Sequence, residues 1–297
     1  MDRLDAMRVF CTVVETGGFS KAADKLGMST SSVTNQVAAL EAHFNIKLLH
    51  RTTRRMSLTD EGRQCYDQAQ RLLDGMQELE GSLQGADQRP RGSLRVDVPA
   101  LVARRFIAPA LPRFVQAWPD ITLQLSATDR HIDMVDEGID VLVRIGELPD
   151  SALLAKTLRR TRYVCCASPA YIARHGAPQS LDELDRFACL HFVYPKSRQL
   201  RPWQFDVDGV RVTRLPRAVM AMDHAESLVE AAIAGCGIVQ MTSLSVDEEI
   251  ARGVLVPLLQ PFSAAGPDVS VLYAQQRHRA AKVKVFVDFL QSLFGAP

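Results

Sequence analysis

The stretch Gly18-Phe-Ser-Lys-Ala-Ala-Asp-Lys-Leu-Gly-Met-Ser-Thr-Ser-Ser-Val-Thr-Asn-Gln-Val-Ala-Ala-Leu40 decides how this chain is read. Before it, Met7, Val9, Phe10, Val13 and Val14 recur at helical spacing, and Gly17-Gly18 ends that first helix. Ser20 then reads as an N-cap, with Phe19 ahead of it as a staple residue. Ala22, Ala23 and Leu26 form the inner face of a short second helix, and the adjacent alanines allow a neighbouring helix to come close. Gly27 supplies the backbone freedom for a tight turn. A third helix opens at Ser29 or Thr30, with Val33, Val37 and Leu40 at i, i+4 and i+7 as one buried stripe.

That stripe leaves Thr30, Ser31, Ser32, Thr34, Asn35 and Gln36 on or near the outer face. Short hydroxyls and amides bond phosphate oxygens and base edges, and an amide pairs with adenine. Taken alone, such a helix start is more often a capped, solvated surface. The sequence that follows changes the balance. Leu48-Leu49 and Met56–Leu58 read as two short strands around Arg51-Thr-Thr-Arg-Arg55, a wing with three arginines at its tip. No acid falls between Ala42 and Thr59, where Lys47, Arg51, Arg54 and Arg55 lie. Arginines so placed hold phosphates or enter the minor groove. The candidate DNA contacts are therefore Ser20, Lys21, Thr30, Ser31, Ser32, Thr34, Asn35, Arg51, Arg54 and Arg55.

Thr59 reads as the cap of a long helix, and Asp60 and Glu61 suit the positive end of its dipole. Cys65, Ala69, Leu72, Met76, Leu79 and Leu83 then follow at steps of 4, 3, 4, 3 and 4, a heptad seam. Packing against the head would give a similar but wider stripe, and Leu73 alone widens this one. The reading favoured is a homodimer through this helix, its two heads matching a two-fold DNA site. Gly81, Gly85 and Arg89-Pro-Arg-Gly92 break the helix and make a hinge-like linker.

From Ser93 onward strands and helices alternate. Residues 94–98, 121–125 and 139–143 read as strands, with a helix through Phe106, Leu111, Phe114 and Val115 and a short helix at 132–138. This βαβ order points to a parallel sheet. A second set begins at Tyr163 and runs through strands near 189–193, 203–207, 210–212, 218–221 and 238–241. It includes helices near 170–175, 181–184 and 225–234. A strand at 269–274 and a helix at 281–294 close the chain. The overall class is α/β: an N-terminal all-α head with a wing, a linker helix, then two α/β lobes with a cleft between them. Ligands of such sheets bind beyond the carboxyl ends of strands, near helix N-termini.

The totals fit. The chain has 297 residues and a net charge of +1, so the whole is no polycation, but a basic patch on one domain suffices for steering. No apolar run approaches the ~20 residues of a membrane helix and no signal peptide opens the chain, so a cytoplasmic protein with no membrane partner is expected. The six cysteines show no metal-ligand spacing. Vicinal Cys165 and Cys166 read as buried structural thiols, with a redox sensor as the minority reading. There is no Walker A loop, Gly-x-Ser-x-Gly elbow, His-Glu-x-x-His or strand-borne GxGxxG, so no catalytic residue, metal or cofactor is expected. The rival classes are an enzyme or solute-binding protein with an incidental helix-turn-helix, and a sequence-indifferent architectural binder that would leave the α/β part without purpose.

The segments beginning at Phe19, Met28, Leu40 and Leu49 and ending in Leu58-Thr-Asp-Glu-Gly62 resemble the N-terminal signature of LysR-type transcriptional regulators. Ile107-Ala-Pro-Ala-Leu-Pro-Arg-Phe114, Trp118-Pro-Asp-Ile121, Asp140-Val-Leu-Val-Arg-Ile-Gly146 and Gly235-Cys-Gly-Ile238 resemble that family's effector domain. The resemblance implies a winged helix-turn-helix over 1–62, a dimerising linker helix and hinge over 59–89, and an effector domain of periplasmic-binding-protein type. By that analogy lobe I is 93–161 plus 267–297, lobe II is 162–266, and the hinge lies near 160–162 and 265–267. It implies double-stranded promoter DNA and a small-molecule effector as partners, assembly to a homotetramer, and RNA polymerase as a further candidate partner. The chain departs from the family where Thr30-Ser31-Ser32 stands for a frequent Gln-Pro-Ala, and Asn35 for an Arg, which bears on base preference.

The family's co-inducer often meets Ser or Thr at the start of the helix after the first strand. Here the stretch is Pro99-Ala100-Leu101, with no hydroxyl, so an anion would use backbone N–H groups from Ala100 onward. Arg144, followed by Ile145 and Gly146 at the end of a buried-type strand, is the side chain best suited to a carboxylate, an organic acid being the expected effector. Its plainer reading is a structural ion pair across the hinge. Phe192, Tyr194, Asp223, His224 and Met241 lie at strand ends or turns that should face the cleft. His224 beside Asp223 reads more simply as a helix cap than as a catalytic pair.

Overall fold

The computed structural model describes residues 2–51, 56–83, 89–130, 132–134, 137–146, 153–274 and 280–295. The chain divides into two compact units. The first, residues 1–93 with the short pieces 120–122 and 279–282, carries α1 (Arg3–Thr16), α2 (Phe19–Leu26) and α3 (Thr30–Phe44). A two-stranded hairpin of β1 (Leu49–Arg51) and β2 (Met56–Leu58) follows, then α4 (Asp60–Leu83).

Each helix end in this unit has a local cause. The Asp2 carboxylate accepts from Leu4 N–H (2.9 Å) and opens α1, while Gly17 closes it in the left-handed region at φ +71°. Gly27, at φ +64°, closes α2. The cap of α2 differs from expectation: Gly18 precedes the helix without a side-chain bond, and Ser20 sits one residue inside it, exposed. Ser29 Oγ accepts from Ser32 N–H (3.2 Å) and starts α3. Ala6, Phe10, Val13, Ala22, Val33, Val37 and Leu40 are wholly buried and form one core with Leu48 and Ala69.

The junction between α3, the wing and α4 is built around Leu48. Glu41, 4% exposed, accepts from Leu48 N–H (3.0 Å) and Leu49 N–H (3.3 Å) and pairs with Lys47 Nζ (3.0 Å). Leu48 carbonyl accepts from Thr59 N–H (3.1 Å), and Thr59 Oγ1 both donates to Lys47 carbonyl (2.7 Å) and caps α4 by accepting from Gly62 N–H (2.8 Å). Gly62 packs so closely that a Cβ there would lie 1.9 Å from the Leu48 carbonyl oxygen.

Along α4 the apolar seam divides. Cys65, Ala69 and Leu73 pack on the head core, whereas Leu72, Met76 and Leu79 are 55, 40 and 53% exposed. The helix runs through Gly81 rather than breaking there. Residues 84–88, including Gly85, and the wing tip 52–55 with Arg54 and Arg55 lie outside the described residues.

The second unit holds two five-stranded sheets. The first has the order β4-β3-β5-β14-β6, from β3 (Gly92–Val98), β4 (Ile121–Ala127), β5 (Val141–Ile145), β6 (Leu153–Arg159) and β14 (Val269–Ala274). Strand β3 runs parallel to β5, with Val96 opposite Val141, and β14 lies antiparallel to β5 and β6. The second has the order β11-β8-β12-β7-β13, from β7 (Tyr163–Ala167), β8 (Cys189–Phe192), β11 (Ala218–Met222), β12 (Ile238–Thr242) and β13 (Val256–Leu258). Strands β11, β8 and β12 are parallel, and β7 is antiparallel to β12 and β13.

Both sheets are thus mixed, where the βαβ order predicts parallel ones. The reason is connectivity. Strands β7 and β14 enter directly from the other sheet, so they run against their neighbours. The two crossing segments pair with each other: Gly266 N–H donates to Thr161 carbonyl (2.9 Å), Tyr163 N–H to Ala264 carbonyl (2.9 Å), and Thr161 Oγ1 to Pro267 carbonyl (2.8 Å). A separate hairpin joins β9 (Trp203–Val207) to β10 (Val210–Arg214).

After β3 comes a helical run with three geometries: α5 (Ala100–Val102), a π-turn at Ala103–Ile107, a 3-10 turn at Ala108–Ala110, then α6 (Leu111–Ala117). This change of phase explains why Val115 points outward, 53% exposed, although one regular helix would bury it with Phe114. Phe114 packs edge-on to Phe286 (5.2 Å) on α10 (Ala281–Phe294). The described residues between 132 and 138 form turns instead of the expected helix; Ile139 N–H donates to Met134 carbonyl (2.9 Å).

Around the second sheet stand α7 (Pro169–His175), α8 (Ala225–Ile233) and α9 (Ser243–Ala251). The alternation of β7 puts Cys165 in the core facing Trp203 and Phe205, and Cys166 in the opposite core against α8. Burial pushes the Cys166 thiol up to about 12, with Glu249 adding to it, and raises Cys165 as well. Both thiols are closed to solvent, the surroundings expected of structural cysteines.

Two outcomes follow for the first unit. Gly62→Ala is expected to lower stability by roughly 3 kcal/mol or more, because backbone must move to admit the methyl; urea unfolding of the full chain checks it. Glu41 titrates below the usual carboxylate range: burial opposes ionisation, but Lys47 and the Leu48 and Leu49 N–H groups outweigh it. Its stabilisation is present above the unfolded value near ~4.3 and is lost as pH falls through the lower folded value. Melting temperature measured from pH 6 downward should therefore fall more steeply in the wild type than in Glu41→Gln.

Candidate functional site

On the head, the outer face of α3 carries the expected polar groups. Thr30, Ser31 and Asn35 are exposed, and Ser32, Thr34 and Gln36 half-buried. Ser29, Ser31, Ser32, Asn35, Gln36 and Ala39 line a shallow hollow. Gln36 Oε1 is buried with no hydrogen-bond partner, so the acceptor is closed to solvent in this arrangement. Thr34 Oγ1 donates back to the Thr30 carbonyl (2.8 Å), so its hydroxyl proton is spent within the helix and only its acceptor lone pairs remain. Ser31 Oγ lies 3.0 Å from Ser29 Oγ, which ties it to the cap. Ser20 and Lys21 are exposed on α2, and Arg51 ends β1.

In the second unit the carboxyl ends of strands from both sheets are bridged by ion pairs. Arg104 Nη2 meets Glu226 Oε1 on α8 (2.9 Å). Arg105, 12% exposed, pairs with the buried Glu249 on α9 and lies 3.8 Å from Glu248. Arg159 and Arg162 both reach Asp247 (3.5 and 3.2 Å). Arg105, Phe106, Arg159, Ser243, Leu244, Asp247 and Glu248 surround a hollow of about 180 Å³ whose charges are already matched.

Arg144 is not the free cation expected. Its Nη1 pairs with Asp97 Oδ1 (2.9 Å), a fully buried carboxylate of the same sheet that also accepts from Thr128 Oγ1 (3.1 Å). It also donates to the Val143 carbonyl (2.9 Å). The ion pair therefore belongs within one sheet, not across the hinge. The backbone donors are engaged too: Ala100 N–H points to Asp129 Oδ1 (3.3 Å) and Gly146 N–H to the Asp268 carbonyl (3.0 Å). A carboxylate of the protein thus occupies the helix start where an effector anion was expected. Leu101 is buried, and Ile145 pairs with Val269 in the sheet.

Among the second set, His224 Nδ1 accepts from Ser227 N–H (3.2 Å) and caps α8, the plainer of its two readings. Asp223 is exposed and paired with Arg198 (2.9 Å), and Met241, 2% exposed, belongs to the core. Phe192 and Tyr194 do stand together, ring centroids 6.0 Å apart at the end of β8.

Between them lies a residue that sequence patterning does not single out. Arg201 returns beside β8, its N–H donating to the Phe192 carbonyl (2.7 Å). Its guanidinium lies 5.3 Å from the Tyr163 ring centroid and 5.5 Å from that of Phe192. Nη2 donates to the Gln240 carbonyl and touches Met241 Sδ at 3.7 Å, and Nε is buried without a partner. Burial lowers its pKa from the usual guanidinium range, with Tyr163 and Tyr194 acting against it. Next to it His191, fully buried, stacks on Trp203 (5.2 Å), and burial keeps its imidazole below the ordinary range.

A winged helix-turn-helix joined through a long helix to an α/β sensor body defines a DNA-binding transcriptional regulator. Residues 4–63 match the profile described as "Bacterial regulatory helix-turn-helix protein, lysR family", and residues 87–295 match "LysR substrate binding domain". The chain belongs to the LysR family. It is 36% identical over 294 residues to the HTH-type transcriptional regulator CrgA of Neisseria meningitidis, covering 98% of this chain and 97% of that one. It is 34% identical over 293 residues to the regulator DmlR of Escherichia coli, covering 98% and 94%. The solved structure of CrgA superposes with a TM-score of 0.64 at 35% identity over 98% of this chain and 99% of that one. The full-length structure of AphB, a virulence activator of Vibrio cholerae, gives 0.59 at 27% identity over 98% and 99%.

Replacing Arg144 tests its structural role. Arg144→Ala leaves Asp97 buried without its cation and should cost about 3 kcal/mol or more in urea unfolding of the full chain.

Proposed function

We propose that this protein binds promoter DNA sequence-specifically through α3 and the wing, and that a small molecule held between the two sheets alters that binding. The observation that carries the first half is the shallow hollow on α3, walled by Ser31, Ser32, Asn35 and Gln36. Its small, polar, uncharged lining suits base edges, while Lys21 and the wing arginines suit phosphates. The similarity to the transcriptional regulators CrgA and DmlR supports it.

The working unit in this reading is a homodimer through α4. The exposed stripe Leu72, Met76 and Leu79, at heptad steps, supports the pairing. Further association to a tetramer follows the family pattern, with RNA polymerase as the partner that reads the result. The domain limits are read as 1–62 for the head, 59–89 for linker helix and hinge, 93–161 plus 267–297 for lobe I, and 162–266 for lobe II. The paired segments around Thr161 and Gly266 are the natural hinge. Around it, Arg104, Arg105, Arg159 and Arg162 hold Glu226, Asp247, Glu248 and Glu249. A ligand that changes the angle between lobes must act against these pairs, and so shifts the population of dimer arrangements.

A gel-shift against DNA from upstream of the protein's own gene tests the reading. Specific retention that weakens steeply with salt is expected, and no retention at low salt overturns it. Asn35→Ala should change the ranking of operator variants, by about 1–3 kcal/mol at the base it reads. Arg51→Ala should weaken all sequences alike and lower the salt slope by about 1.

A further inference from the structure

Resting on the reading that the second unit holds an effector, we infer that Arg201 is the group that receives it, and that the ligand is a small monocarboxylate with an apolar or aromatic body. Three observations carry this. First, among the described residues no carboxylate pairs with Arg201, whereas the largely covered Arg105 and Arg144 are held by Glu249 and Asp97. A covered guanidinium without a counter-ion costs stability unless an anion arrives. Second, its position is the one the fold reserves for ligands. Phe192 ends β8, Met241 lies near the end of β12, and Tyr163 opens β7 next to the crossing segments. These are the carboxyl ends of the parallel strands β8 and β12. The Arg104–Glu226 pair brings the helical run after β3 to the start of α8, so the strand ends of both sheets approach here.

Third, the surroundings fit the stated chemistry. The guanidinium is already positioned by the Tyr163 and Phe192 rings and by the Gln240 carbonyl, so little order is lost on binding. Nη1 donates to nothing in the described structure, and Tyr194, 44% exposed, extends the aromatic wall outward from Phe192. One cation with aromatic walls matches one negative charge on an apolar body. A phosphate dianion would call for further donors, and the nearby Arg198 is taken by Asp223. Arg144, the obvious alternative from sequence, is committed to Asp97.

The test uses the full chain, its Arg201→Met and Arg201→Lys variants, and three probe pairs: benzoate and benzamide, cinnamate and cinnamamide, hexanoate and hexanamide, with inorganic phosphate alongside. Melting temperature and retention of upstream DNA are read for each. At least one carboxylate should raise the wild-type melting temperature while its amide and phosphate do not. Its affinity should fall about ten- to a hundred-fold in Arg201→Met and less in Arg201→Lys, which keeps the charge. Without ligand, Arg201→Met should melt no lower than the wild type, because the empty site holds an unmatched cation. A ligand-free melting temperature several degrees lower for Arg201→Met makes Arg201 a structural residue and overturns the inference. So does an amide that works as well as its acid, a phosphate that works better, or a carboxylate equally effective on Arg201→Met. Those last three outcomes leave the effector reading standing. Silence from every acid and amide, in melting and in DNA retention alike, overturns both together.

Discussion

The backbone of one residue ties the DNA-reading head together. Leu48 gives its N–H to a carboxylate on the recognition helix and its carbonyl to the residue that caps the linker helix. Gly62 lies against that same carbonyl at a distance only glycine permits. The orientation of α3, the root of the wing and the departure of α4 are therefore one geometric decision. Glu41 is central to it because it is buried, and a buried carboxylate persists only where donors surround it. Lys47 and two backbone N–H groups provide them. For a protein that must hold helix and wing in fixed relation to a duplex, such a joint is rigid where a loop would not be.

The sensor body uses charge differently. Its arginines are numerous, but most are spent on the fold: Arg144 neutralises Asp97 inside one sheet, and Arg104, Arg105, Arg159 and Arg162 tie acidic groups of α8 and α9. Counting cations near a cleft therefore says little about ligand chemistry. What separates a binding group from a structural one is whether a covered charge has been answered from within, and by that measure Arg201 differs from Arg105 and Arg144.

Much of this was legible beforehand, and the failures have physical causes. The head could be read because its glycines, caps and apolar stripe each act over a few residues. Helix α10 and strands β9 and β12 could be read for the same reason. Three elements were hidden. Strand β6 alternates poorly because it is an edge, β13 contains Pro257, which only an edge tolerates, and α9 starts directly after β12 with no turn residue between. The mixed character of the sheets was invisible because it depends on where the chain crosses between them. The candidate pocket was the least legible part. Arg144 and Arg201 are both single arginines beside apolar strands, and only three-dimensional proximity to Asp97 tells them apart. The Gln240 side chain, which holds Gln204 N–H at 2.8 Å, gave no sign of its role either.

The π-turn at Ala103–Ile107 has a bearing on how this body can vary. Arg104 and Arg105 are neighbours in sequence, yet one grips α8 and the other α9. A widened turn holds one residue more than an α-turn, so deleting one there would close it and change where Arg104 and Arg105 point. Both grips hang on a single count of residues between Pro99 and Pro109. Related proteins could exchange side chains along this segment and keep its architecture, whereas a change of length by one would release both clasps at once.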